Sequence, residues 1–106
     1  MIRIMGKLSQ PCTRIALSPG AWGGRTQIGL LMKEKPDLFI CGELDEWETN
    51  EYIRDAQHIG EKISLMVLGH TVSEEPGMEY LVEWLQPKLP GMKITHIPSN
   101  DLFRWM

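Results

Sequence analysis

Leu65-Met66-Val67-Leu68-Gly69-His70-Thr71-Val72-Ser73-Glu74-Glu75-Pro76-Gly77 is the stretch that decides the fold. An unbroken apolar run that stops at a glycine reads as a strand covered by other elements. The acids and proline after it read as a helix start, with Glu75-Pro76 in the first turn, because proline is tolerated there and carboxylates favour the N-terminal dipole. A strand that feeds a helix at once is the unit of a parallel α/β sheet, and ligands in such sheets collect at the carboxyl ends of the strands. His70 and Glu74 fall at that edge. An imidazole nitrogen and a carboxylate oxygen are good ligands for a divalent transition metal.

The same unit recurs upstream. Thr13 to Ser18 reads as a strand ended by Pro19-Gly20, followed by the glycine-rich turn Pro19-Gly20-Ala21-Trp22-Gly23-Gly24. Thr26 can cap a helix from about Gln27 to Lys35 with Ile28, Leu31 and Met32 on one face, and Pro36 stops it. Asp37 to Cys41 is a second, apolar strand ended by Gly42-Glu43. Asp45 or Thr49 can cap the next helix, which reaches about His58 with Trp47, Tyr52, Ile53 and Ala56 inward. Gly60 terminates it. Ile63 to Leu68 is the third strand. Met78, Leu81, Val82 and Leu85 form the apolar stripe of the third helix, and Met92 to Ile97 is expected to be a fourth strand. Residues 1–12 read as a linker or an edge strand before an α/β domain over residues 13–106. The alternation predicts a three-layer α/β domain with a mostly parallel or mixed sheet, its apolar central strands covered on both faces.

Composition narrows the function. A chain of 106 residues, 42% hydrophobic and 24% charged, suits one soluble domain. A net charge of −3 argues against general nucleic-acid binding. The longest apolar run is far too short to span a membrane, and the first residues lack the apolar core of a signal peptide, so a cytoplasmic protein is expected. Two cysteines, Cys12 and Cys41, make neither a disulfide framework nor a metal knuckle.

Three groups carry chemistry. His70 and Glu74 are the candidate metal ligands. Glu43, at the matching end of the neighbouring strand, and Glu46, one turn on, could join them. Without a third partner, His70 fills a turn and Glu74 supports a helix N-terminus. The loop holding Ser18, Gly20, Gly23 and Gly24 could cradle an anion with its amides. It lacks the dinucleotide fingerprint and the Lys-Ser/Thr of a P-loop, and a plain flexible turn is the ordinary alternative. Cys41 lies near the same edge and could be a ligand, though a small buried residue is its commoner role. His58 and His96 read as incidental.

Four stretches together resemble the dinuclear-metal-centre hexameric proteins, the NGG-one-interacting-factor-three-like family, some of whose members carry the label GTP cyclohydrolase type 2 homologue. They are Ile15-Ala16-Leu17-Ser18-Pro19-Gly20-Ala21-Trp22-Gly23-Gly24, then Cys41-Gly42-Glu43, where the family usually has Thr-Gly-Glu, then Gly69 to Gly77, close to the family's Gly-His-Tyr-x-Ser-Glu-x-x-Gly, and the tail Asn100-Asp101-Leu102-Phe103-Arg104-Trp105. The resemblance is to the family's C-terminal portion, over roughly Thr13 to Trp105. It implies that His70 and Glu74 are this half's ligands to a pair of divalent ions such as zinc, iron or manganese, two per complete site, and that the pocket suits hydrolysis of a phosphate-bearing or purine-type substrate. The family's other ligands, a His-His pair and an Asp, belong to its N-terminal half, and this sequence contains no His-His. The resemblance therefore implies weak or absent metal in the isolated chain. It also implies a homo-oligomer, ring-shaped and hexameric in the family, or a missing N-terminal half as partner. The competing reading is a non-catalytic oligomerisation or regulatory domain with an incomplete metal site. The aromatic tail is expected to bury Phe103 and Trp105 in the chain's own core or against a second copy.

Overall fold

The computed structural model describes residues 1–100 and 103–104. Four strands, β1 (Arg3–Met5), β2 (Ile15–Ser18), β3 (Leu38–Cys41) and β4 (Ser64–Val67), form one mixed sheet in the order β1-β4-β3-β2. β2, β3 and β4 are parallel, and β1 runs antiparallel along β4. Helix α1 (Gly24–Glu34) joins β2 to β3, and helix α2 (Glu51–His58), entered through a π-helical turn at Glu46–Asn50, joins β3 to β4. Helix α3 (His70–Leu85) and a short 3-10 turn (Gln86–Lys88) follow. This is an α/β fold with strands and helices in alternation.

Side chains alternate along a strand, so each strand gives one set of residues to each face. Phe39, Cys41, Leu65 and Val67 point to the face where Leu31 of α1 and Ile53 and Ala56 of α2 pack, and all seven are buried together with Ile63. The inner face of α1 is centred on Gln27 and Leu31 rather than on Met32, which is exposed. Trp47 is likewise on the outside, at 76% exposure, because the π-helical turn rotates it away from the face that Tyr52 and Ile53 share. Opposite this core, Ile4, Ile15 and Leu17 are exposed, while Leu38, Ile40 and Met66 are half-buried. The expected cover over both faces of the central strands is thus complete on one face only.

Element ends follow local chemistry. Lys35 takes a left-handed conformation (φ 43°) and donates its amide to the Leu31 carbonyl, ending α1 directly before Pro36. Gly60 (φ 99°) closes α2 as a C-terminal glycine should, with its amide on the Gln57 carbonyl and that of Glu61 on Ala56.

Three expectations need correction. Helix α1 begins at Gly24, behind Gly23 and without a side-chain cap, instead of at a Thr26 cap. Helix α3 begins at His70, not at Glu75-Pro76. Gly69 (φ 104°) makes the turn that lets the Ser73 amide reach its carbonyl, and Pro76 is carried inside the helix. Residues 92–97 form no strand. The place beside β4 is taken by β1, and residues 92–99 instead return along α3, where the His96 Nε2 lies 2.8 Å from a Glu75 oxygen and the Ser99 amide donates to the same carboxylate. The chain is elongated, 58 × 35 × 28 Å, and no residue of α3 is buried. Among the described residues, no helix is long and apolar enough to cross a membrane.

Candidate functional site

Parallel strands bring their carboxyl ends to one edge, and here three of those ends are drawn into direct contact. The Gly42 amide donates to the Ser18 carbonyl (3.0 Å), the Glu43 amide to the Gly20 carbonyl (3.0 Å), and the Gly69 amide to the Gly42 carbonyl (2.8 Å). Gly42 has no room for a side chain, since a Cβ there would meet the Gly20 backbone and the Ser73 hydroxyl at about 2.5 Å. Gly20, with φ 68°, is packed the same way, and a Cβ on it would overlap the Glu74 carboxylate and meet the His70 Nε2 at 3.4 Å. The glycines are close-approach positions that let three backbones converge below two polar side chains.

Above them sits the imidazole of His70. Its Nε2 is 3.0 Å from a Glu74 oxygen, one helical turn on, and its Nδ1 is 3.5 Å from a Glu43 oxygen. The three side chains are about half exposed, so the group opens to solvent. A buried network steadies Glu43 from below: the Thr49 hydroxyl donates to the Gln27 carbonyl oxygen (2.8 Å), and the Gln27 amide group donates to the Glu43 backbone carbonyl (3.0 Å).

The remaining candidates are placed as follows. Glu46 lies away from this group, its carboxylate paired with the Arg3 guanidinium on β1. Ser18 is fully buried, and its hydroxyl has no hydrogen-bond partner among the described residues. The Gly20 amide is taken by the Ser73 hydroxyl (2.9 Å), and the Gly23 carbonyl accepts the Gln27 amide. Gly24, at the N-terminus of α1, faces the Glu48 carboxylate so closely that a Cβ would overlap it. Cys41 is buried, and burial pushes its thiol up to about 11. Sequence reasoning passed over Ser73, Glu48 and the Gln27–Thr49 pair. Only Ser73 left a trace, as the serine of the Ser-Glu step in the family-like stretch.

A small α/β domain with a histidine-carboxylate group at the glycine-lined ends of its parallel strands is the class this geometry defines. The chain belongs to the Duf34/NIF3 (NGG1p interacting factor 3) family, whose model matches residues 1–101. Two solved structures share the fold. A Bacillus cereus protein related to NIF3 is 19% identical with a TM-score of 0.65, and a Staphylococcus aureus hypothetical protein is 21% identical with a TM-score of 0.62. Each alignment covers 100% of this chain, which spans 28% and 34% of those two proteins. No curated protein matches the chain.

The donor set can be tested against the metal that the resemblance implies. A neutral imidazole carries a single N–H, which can serve only one of the two carboxylates that flank His70. Glu43 stands 3.5 Å from Nδ1, an ion-pair distance without a hydrogen bond, and Glu74 stands 3.0 Å from Nε2, so a cation seated at Nε2 would meet one ring nitrogen and one carboxylate oxygen. The pattern of a histidine held at one nitrogen by a carboxylate, with the other nitrogen free to ligate, is the usual support of a metal-bound imidazole. The residues present therefore fit one side of a coordination shell. Two donors are fewer than a catalytic zinc site uses, and among the described residues no group of three or more His, Cys, Asp or Glu is placed to hold an ion.

Proposed function

We propose that this chain supplies one half of a dinuclear metal site, and that the completed site is a hydrolase for a phosphate-bearing or purine-type substrate. The observation that carries the reading is the His70–Glu74 pair at 3.0 Å with Glu43 behind the imidazole, seated on the Gly20 and Gly42 backbones. In this reading His70 Nε2 and Glu74 are the ligands, and Glu43 fixes the imidazole ring and its tautomer. Divalent metal, once bound, polarises a substrate oxygen and lowers the pKa of water. The chain's own part is to present the two donors from one helical turn. An anionic group of the substrate would approach Gly23 and Gly24, where it must compete with Glu48. The missing ligands come from an N-terminal half or from another copy.

The test is calorimetric titration of zinc and manganese into the 106-residue chain, beside His70→Ala and Glu74→Ala. The expected result is weak binding by the parent that both substitutions abolish, with hydrolysis only when a His-His-bearing half is added. Tight stoichiometric binding that survives His70→Ala would overturn the assignment. A second reading, a non-catalytic assembly domain with an incomplete metal site, is favoured by the open apolar sheet face and by the absence of any buried residue on α3. Under it, the chain self-associates and the completed protein hydrolyses nothing.

A further inference from the structure

We propose that Ser73 is a positioning residue for the His70–Glu74 pair, fastening the glycine loop after β2 to the first turn of α3; the proposal rests on the metal reading above. The Ser73 hydroxyl donates to the His70 carbonyl at 2.7 Å. A bond from a helical serine to the carbonyl one turn back is common and local. What is not local is its second bond: the same oxygen accepts the Gly20 amide at 2.9 Å, across 53 positions of sequence. One oxygen therefore joins the strand end that follows β2 to the turn that carries His70. The joint has no slack, because Gly42 beneath it lies against both Gly20 and Ser73.

Two consequences follow for the pair. Gly20 lies close against the Glu74 carboxylate, which also stands 3.0 Å from the imidazole and is otherwise half exposed. Further, α3 has no buried residue to anchor it, so polar bonds in its first turns hold its start in register with the sheet edge. Metal affinity depends on donors held within a few tenths of an ångström of one arrangement, and groups that orient ligands without touching the metal are typically worth 10–100-fold in affinity. Ser73 has the placement of such a group.

The experiment compares the parent chain with Ser73→Ala and with Ser73→Thr, which keeps the hydroxyl. Three quantities are read: hydrogen exchange at the Gly20 amide, the His70 ring signals by NMR, and calorimetric zinc affinity, with His70→Ala as control. Ser73→Ala should remove Gly20 protection, broaden or shift the His70 ring signals and weaken zinc roughly tenfold, with amide protection in the β3 and β4 core unchanged. Ser73→Thr should restore part of each. Loss of Gly20 protection with zinc affinity unchanged would overturn the proposal, leaving Ser73 a fold residue only. If His70→Ala binds zinc as well as the parent, the metal reading fails separately; a parent that binds no zinc, as a half-site allows, removes affinity as a readout. The positioning claim then stands or falls on the exchange and ring signals: a Ser73→Ala chain with both unaltered refutes it.

Discussion

The two faces of the sheet differ more than any other two regions of the molecule. On one face, Phe39, Cys41, Leu65 and Val67 are sealed beneath α1 and α2. On the other, strands of the same sequence character leave Ile15 at 55% and Leu17 at 62% exposure, and α3, which starts from the same sheet edge, has no fully buried residue. Apolar area removed from water is the main stabilising term in folding, so the fold rests on one face. The candidate site sits where the two regimes meet. Its floor is backbone locked by the β2, β3 and β4 ends, whereas the candidate donors His70 and Glu74 stand on a helix tied to that floor through Ser73 and to His96 and Ser99 through Glu75. A site built this way has a rigid seat and loosely held donors, and completion by a partner would change the donors more than the seat.

The sharpest way to break the comparison is to truncate the sealed face. Phe39→Ala should cost about 3–5 kcal/mol and Ile53→Ala about 2–5 kcal/mol, since each opens a cavity in a filled core. Urea unfolding followed by circular dichroism reads both. A loss below about 1 kcal/mol would mean that the covered face is not where the stability resides.

Next in size is the buried polar link. Thr49→Val keeps the volume but leaves the Gln27 carbonyl oxygen, fully buried, without a donor. The expected cost is about 1–3 kcal/mol, and Glu43, whose carbonyl the same Gln27 holds, should shift in its backbone NMR signals. A neutral outcome would show that the π-helical turn relaxes to satisfy Gln27 another way.

The contrast between the faces also explains what was legible in the sequence. Apolar runs identified β3 and β4, whose core-facing residues are buried, and the Pro19-Gly20 stop marked the end of β2, an edge strand with Ile15 and Leu17 exposed. Gly69-His70 marked the site edge because a strand end, a glycine and a polar helix start are local signals. The fourth strand failed for a non-local reason: residues 92–97 alternate like a strand, but the free edge of β4 was already taken by Arg3–Met5. The start of α3 was misread because proline preference is a statement about isolated helices. Here the Gly69 turn and the Ser73 bonds begin the helix earlier and carry Pro76 within it. Nothing in the spacing could show that Gly20 and Gly42 touch, or that Glu48 faces Gly24. The aromatic tail divides in the same way: Phe103 is exposed, so it lies outside this chain's own core, while Leu102 and Trp105 lie outside the described residues.

A pH experiment sharpens the opposite edge of the sheet. Asp37 accepts the Thr13 amide, the Arg14 amide and the Thr13 hydroxyl at 2.8–3.0 Å, and those bonds hold its carboxyl below the ordinary value of 3.8. A depressed folded-state pKa means stability that is fully present above the unfolded value and lost as pH falls through the folded one. The stability difference between the parent and Asp37→Asn should therefore be level from neutral pH down to about 5 and close at about pH 4 and below. A difference that persists unchanged at pH 2 would place the stabilisation in packing instead of in the carboxylate.

The smallest effect on stability is expected from the open face, and it tests the comparison most directly. Leu17→Thr replaces an exposed apolar side chain on an edge strand with a β-branched residue of the kind strands favour. In the isolated chain it should change unfolding free energy by no more than about 0.5 kcal/mol, as surface substitutions do. Its consequence lies in association. Contiguous apolar surface on a sheet face marks a contact site, so the parent should self-associate as concentration rises, and Leu17→Thr with Ile15→Thr should shift sedimentation toward monomer without shifting the urea midpoint. The pairing of those two readouts decides the matter. A midpoint that drops by as much as it does for Ile53→Ala would show that the second face is a core surface within the monomer, and the sheet would have two equivalent faces after all. If parent and double variant both associate with an unchanged midpoint, α3, with Met78, Leu81 and Trp84 outward, is the surface left for a second copy; a parent that stays monomeric at all concentrations refutes the association.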